Sequence, residues 1–251
     1  MPAWIARLGT AAAATAGSVG ALAATTSTAQ LGLVLARGNS NTETANAQFE
    51  FLHETNAVKD DFEIEGLYGS SSGIVTAERW ATRFQRNWNI TTHTFWFGNF
   101  HYEDDEFSGF AYQGSAATGI GYNFVDTPAT KLSMQLGAGY RRLRPEQLVK
   151  DSRGAVIDRV PGAVTEDAVG NAQLDYRHSL SETTEVIESF VAIAGSTNTR
   201  LQNDLSLRVK MTDVFALSVA YTVRYNSNPP SGLLTTDQQT TINLVYIRKR
   251  P

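Results

Sequence analysis

The chain of 251 residues carries 21 Lys and Arg against 25 Asp and Glu, a net charge of −4, and contains four His and no Cys. That composition excludes a disulfide framework, a thiolate zinc site and a cysteine nucleophile, leaves little for a metal cluster, and denies the chain the basic face of a nucleic-acid binder. Charged residues amount to 18%, where soluble domains average about 25%, while 12 Phe, 9 Tyr and 4 Trp demand a large apolar surface.

At the N-terminus, Arg7 precedes a weakly apolar, Ala-rich stretch from Leu8 to Leu22, and Ala21-Leu22-Ala23 has the small-x-small form of a signal-peptidase site. Residues 1–29 are expected to be an export segment, cleaved near Ala23 or Ala29, and residues 30–251 the mature barrel domain; a low-complexity linker is the competing reading. No run of about 18 uncharged apolar residues follows, so the body of the chain has no helical span. A transmembrane β-barrel hides its lipid face in alternate residues and stays open as a fold.

Beyond Gln30 the dominant period is two. Phe62, Ile64, Gly66 and Tyr68 alternate with Glu63 and Glu65, and Leu201, Leu205, Leu207 and Val209 alternate with Asp204, Ser206, Arg208 and Lys210. Turn-rich breaks divide the chain into twelve predicted strands, at 30–37, 42–56, 61–70, 76–90, 94–104, 111–124, 131–143, 165–178, 185–194, 199–212, 214–226 and 235–247. The connections alternate between a tight set, such as 91–93 and 126–130, and a set holding every long one, such as 144–164 and 227–234. Short turns on one side and longer loops on the other predict a 12-stranded antiparallel outer-membrane β-barrel with both termini in the periplasm.

Trp80 and Trp88 share a face eight residues apart, roughly 20 Å along the membrane normal at a tilt near 40°, which matches an apolar band of about 25 Å. Arg86 has the same parity, so it either snorkels to the interface beside Trp88 or is turned inward by a bulge. A soluble all-β periplasmic binding protein would also alternate, but strands of 10 to 14 residues exceed the usual five or six.

Several short motifs occur in order along the chain: Gly38-Asn39-Ser40-Asn41-Thr42, Leu67-Tyr68-Gly69 with Ala77-Glu78-Arg79, Phe107-Ser108-Gly109, Gly119-Ile120-Gly121-Tyr122, Gly137-Ala138-Gly139-Tyr140-Arg141 and Tyr225-Asn226-Ser227-Asn228-Pro229-Pro230. From about Leu31 to Tyr246 the chain resembles the domain of unknown function 481 (DUF481) family, the salt-induced outer-membrane proteins. The resemblance implies a barrel in the outer membrane of a Gram-negative bacterium and a link to salt or osmotic stress, and it brings no catalytic residue. In one respect the chain departs from common outer-membrane barrels: Tyr246 is followed by Ile247-Arg248-Lys249-Arg250-Pro251 instead of ending the chain as an assembly signal.

By parity, Glu50, Glu63, Glu65, Asp167, Asp175 and Asp204 point into the lumen together with Arg83, Arg141, Arg177, Arg208, Lys210 and Arg224. The signs balance, which predicts pairing across the lumen and either a narrow, weakly selective passage for small solutes or a closed interior. Gly119, Gly121, Gly137 and Gly139 also point inward, with Gly119 opposite Gly137; they read as barrel curvature or as room for a permeant or an inward-folded loop. The longest connection, 144–164, is the candidate for such folding.

Glu103-Asp104-Asp105-Glu106 reads as a solvated loop, with cation bridging to lipopolysaccharide as the sharper alternative, and Arg141, Arg142 and Arg144 read as strand-end caps or phosphate contacts. An outer-membrane lipid hydrolase needs a hydroxyl beside an imidazole, yet His53, His93 and His178 fall near turns and only His101 neighbours acids. No enzyme activity and no cofactor are expected. The expected partners are outer-membrane lipid and lipopolysaccharide, and the barrel-assembly machinery during biogenesis.

Overall fold

The computed structural model of the chain describes residues 23–36, 42–230 and 232–250; residues 1–22 of the expected export segment 1–29 and the Gly38-Asn39-Ser40-Asn41 motif lie outside the described residues. The strands are β1 (Ala24–Ala36), β2 (Thr42–Glu54), β3 (Val58–Ser71), β4 (Ile74–Asn89), β5 (Thr94–Asp105), β6 (Phe110–Asp126), β7 (Thr130–Lys150), β8 (Val156–Pro161), β9 (Thr165–Ser179), β10 (Thr184–Gly195), β11 (Thr199–Lys210), β12 (Phe215–Asn226) and β13 (Thr236–Arg250). All pairings are antiparallel between neighbours, and β1 pairs with β13 while β6 pairs with β7, so twelve strands close into a ring with β8 outside it. Closure leaves the ring itself without a sheet edge, the condition for crossing lipid with strands.

The ring inverts the ordinary placement of side chains. Trp80, Trp88 and Trp96 are 45%, 44% and 43% exposed on the outer wall, in company with Phe49, Phe51, Phe84, Phe100, Leu205, Leu217 and Leu244. Charged residues of the opposite parity, among them Arg79, Glu103 and Arg141, are buried inside. Such a wall satisfies lipid, and aromatic pairs such as Trp80 with Tyr102 (5.1 Å) and Phe215 with Tyr246 (5.5 Å) lie toward its two rims.

Most strand ends shift by one to three residues from the sequence reading, and three differences bear on closure and on the loop end. β1 starts at Ala24, before the predicted 30, because Thr25-Thr26-Ser27-Thr28 pair with β13 and β2 while offering no apolar alternation to read. β13 continues through Arg250, which stands opposite Thr25, so the basic tail belongs to the closing strand. The 144–164 connection does not fold inward as a loop. β7 runs on to Lys150 and pairs with β8 from Glu146↔Pro161 to Lys150↔Val156, because Gln147-Leu148-Val149 and Asp158-Arg159-Val160 satisfy one another's backbone groups. Asp151 closes the hairpin tip by accepting the N–H groups of Ala155 and Arg153, both at 2.9 Å, which hold its carboxyl below the ordinary carboxylate range.

Arg86 is neither on a bulge nor unpaired. The β3–β4 register is regular there, Arg86 stands opposite Asp60, and the guanidinium grips the carboxylate at 2.5 Å (Nε–Oδ1) and 2.7 Å (Nη2–Oδ2) on the outer wall. A bidentate pair removes most of the charge that lipid would reject. Asp60→Ala is expected to cost about 1–2 kcal/mol, between the midplane and interface penalties for an unpaired arginine, as read by urea unfolding in micelles.

Candidate functional site

Three side-chain hydrogen bonds bypass neighbouring strands and mark the inside. Asn46 of β2 donates to Asn243 of β13 (2.8 Å) across Gly32 of β1, Gln85 of β4 donates to Gln135 of β7 (2.9 Å), and Arg200 of β11 donates to Glu103 of β5 (2.7 Å). All share the parity of the predicted lumen set.

Most of that set pairs with its strand neighbours. Glu63 meets Arg83 at 3.3 Å, Glu65 meets Arg79 at 2.9 Å, and Arg208 meets Glu185 at 3.1 Å. Arg141 holds Asp167 with two bonds (3.2 and 3.0 Å) and donates to the carbonyl of Asn198 (2.9 Å). Asp175 accepts from Gln173 (2.8 Å) and Ser189 (2.7 Å), Asp204 from Gln202 and Thr222 (both 2.7 Å), and Arg224 donates to Gln202 (3.3 Å). Arg177 and Lys210 stand exposed toward the end carrying the termini, where Lys210 reaches Asp213 of the adjacent turn (3.1 Å). The predicted pairing across the lumen is thus replaced largely by pairing along its wall. Residues such as Glu63 and Arg83 face each other directly in register, and among the described residues the ion pair that spans the ring joins a long arginine to a glutamate.

That spanning pair involves one residue the sequence reading misplaced, Glu103, and one it did not single out, Arg200. Glu103 is not part of a solvated loop: it ends the inward row of β5 and is 4% exposed, with Arg79 (3.4 Å), Arg200 (2.7 Å) and Gln113 (3.3 Å) as donors and His101 at 3.8 Å. The signal available was parity, since His101 and Glu103 alternate with the outward Phe100 and Tyr102; the acidic neighbours masked it. Glu106, by contrast, lies beyond β5 and pairs with Arg159 of β8.

The half of the lumen nearest the termini is filled differently. Phe95 and Phe97 of β5 point inward, with Phe97 fully buried. A Cβ on Gly121 would strike the Phe95 ring and one on Gly137 would come within 2.8 Å of Phe97 Cζ, so the glycine patch is the seat of these rings. Gly119 stands directly opposite Gly137, as expected from the turn. Val245, Ala216, Ser218 and Thr28 are buried on the far wall. Together they form a floor that the charge pattern gave no hint of; the run Phe95-Trp96-Phe97, apolar on both faces, was its trace in the sequence.

At the other end, the connection between β12 and β13 crosses the mouth. Pro230 and Leu233 rest on Gly109 (φ 73°), on the turn before β6 and half-way round the ring. Asn228 anchors the root by donating to the carbonyl of Thr197 (3.2 Å) and accepting at its own carbonyl from Asn198 (3.3 Å). Between this strap and the β7–β8 hairpin lies a cavity of about 230 Å³ bounded by Glu146, Leu148, Lys150, Pro230, Gly232 and Leu233.

The histidines near the termini each share a hydrogen bond with a threonine: His53 with Thr25 (3.2 Å), His93 with Thr92 (2.9 Å) and His178 with Thr130 (2.8 Å). Among the described residues no group of three His, Asp or Glu has metal-binding geometry.

The profile of the family described as protein of unknown function, DUF481, matches residues 29–247. The uncharacterized protein YdiY of Escherichia coli (strain K12) is 26% identical over 179 residues, 70% of this chain, and the chain spans 65% of that protein's length. Among solved structures, the NanC porin superposes with a TM-score of 0.50 at 9% identity, covering 90% of this chain and 99% of the porin. The COG4313 outer membrane channel from Pseudomonas putida F1 gives a TM-score of 0.48 at 11% identity over 94% and 97% of the two chains. At such identities the likeness is one of fold.

Proposed function

The chain belongs to the DUF481 family, and from that premise we propose that it is a β-barrel of the bacterial outer membrane that rests closed and serves the envelope as a structural barrel. The observation that carries this reading is the bridge from Glu103 to Arg200 across the lumen (2.7 Å), standing above the floor made by Phe95 and Phe97. Passage of solutes at rest requires a continuous wet path, and both halves of this lumen are occupied. The apolar outer wall and the fold it shares with the NanC porin support an outer-membrane location. In this reading the tight turns and termini face the periplasm, lipid and lipopolysaccharide surround the wall, and the barrel-assembly machinery inserts it. Arg142 and Arg144, on the loop end of β7, are then placed to meet lipopolysaccharide phosphates. The reading assigns no catalytic step.

The link to salt or osmotic stress comes with the family and forms part of the proposal: a strain lacking the chain is expected to leak periplasmic enzymes at high osmolarity more than its parent. A narrow passive channel is the second reading. It draws on the ionic character of the loop-end closure, because buried ion pairs add little net stability over apolar packing and make a closure that can be undone. Planar-bilayer recording of the refolded chain separates the two. A heat-modifiable barrel without steady current is expected; steady ohmic steps from the unaltered chain would replace the structural reading with the channel.

A further inference from the structure

Donors from several walls converge on one carboxylate near the loop-end mouth. Glu103 Oε2 accepts from Arg200 Nη2 (2.7 Å) and Arg79 Nη1 (3.4 Å), and its Oε1 accepts from Gln113 Nε2 (3.3 Å). Arg79 shares its Nη1 with Glu65 (2.9 Å), while its Nε is buried with no acceptor. Arg224, on the strand beside Arg200, has Arg79, Glu103, Glu65 and Arg200 as charged neighbours, yet among the described residues no carboxylate lies within salt-bridge distance of it and its hydrogen bond goes to Gln202 (3.3 Å). Of the other acids nearby, Asp105 is turned to the N–H of Phe107 (3.0 Å), and Asp237, in register opposite Arg224 on β13, is exposed. A cavity of about 10 Å³, one water in size, adjoins the junction between His101, Gln113, Ser115, Arg141 and Arg200, so the junction is not close-packed on that side.

Three guanidiniums carry about fifteen N–H donors in forks whose spacing suits carboxylate and phosphate oxygens. The three guanidiniums around Glu103 offer more donors than one carboxylate can use, and the Nε of Arg79 is buried without any acceptor. We propose that this junction is an anion site in which Glu103 is a tethered ligand, and that a small carboxylate or inorganic phosphate takes its place between Arg79, Arg200 and Arg224. The site lies on the loop-end side of the floor, so reaching it does not require passage through the floor.

The test is replacement of the tether by a free anion. Glu103→Ala in the full refolded chain is expected to lower the unfolding midpoint, read by heat-modifiable gel mobility, by roughly 10 °C through the loss of the buried partner. Acetate or phosphate is expected to restore most of that loss at an ionic strength where chloride does not, and to act more weakly on the unaltered chain, where Glu103 competes for the same donors. If Glu103→Ala fails to assemble, refolding yield in acetate against chloride reads the same property, with Glu103→Gln as the milder variant. Equal effects of acetate, phosphate and chloride in these variants would overturn the site. Bilayer current is recorded separately: rescue with or without current upholds the site, so failure of the structural reading is distinguishable from failure of this one.

Discussion

Gly119→Ala is expected to prevent assembly of the barrel, whereas Gly121→Ala, two residues along the same strand, is expected to be tolerated once Phe95 is shortened. A Cβ at 119 would run into the carbonyl oxygen of Leu136 and the Cα of Gly137, which are backbone of the paired strand and cannot yield without opening the sheet. At 121 the obstacles are Cζ, Cε1 and Cε2 of Phe95, the far end of a side chain. Gly121→Ala therefore costs roughly 1–3 kcal/mol as an overpacked lumen. Phe95→Ala alone costs about 3–5 kcal/mol by leaving a void, and the double variant falls short of the sum because each change relieves the other. Refolding yield and heat-modifiable mobility measure all four chains. Equal behaviour of the 119 and 121 variants would contradict the seating of Phe95 on the glycine patch.

The second large effect is at Phe97, the largest fully buried side chain. Phe97→Ala is expected to lose about 3–5 kcal/mol, read by urea unfolding in micelles, because the ring packs inside a closed wall that cannot collapse to fill the space. It is not expected to produce current on its own, since the Glu103–Arg200 bridge still closes the loop-end half. A loss below about 1 kcal/mol would mean that the floor is loose.

The strands were legible because alternation survives wherever one face meets lipid: Leu201 to Val209 and Phe62 to Tyr68 fall in β11 and β3 as read. Legibility ended where chemistry stopped alternating. Thr25 to Thr28 are hydroxyl on both faces, and the hairpin arm from Val156 to Pro161 crosses no membrane and so carries no lipid face. Parity also placed Glu63, Arg83, Arg141, Asp175 and Asp204 on the inner wall, where their side chains bond to others of the same parity. Parity cannot say which residue meets which across a ring, because that depends on the stagger with which twelve strands close. Glu103 and Arg200 lie 97 positions apart, and their meeting follows from closure alone. The same holds for Pro230 and Leu233 over Gly109, two of the resemblance motifs that turn out to touch.

A barrel that rests closed, as proposed, with one seal at Phe95 and Phe97 and another at Glu103 and Arg200, makes a distinctive demand on variants. The most direct measurement is single-channel recording, in one bilayer composition and one salt, of the unaltered chain, Phe97→Ala, Arg200→Ala and the double variant. Current is expected from the double variant alone, since each single change leaves the other seal in place. Steady current from the unaltered chain or from Arg200→Ala alone would contradict a barrel that rests closed at both levels.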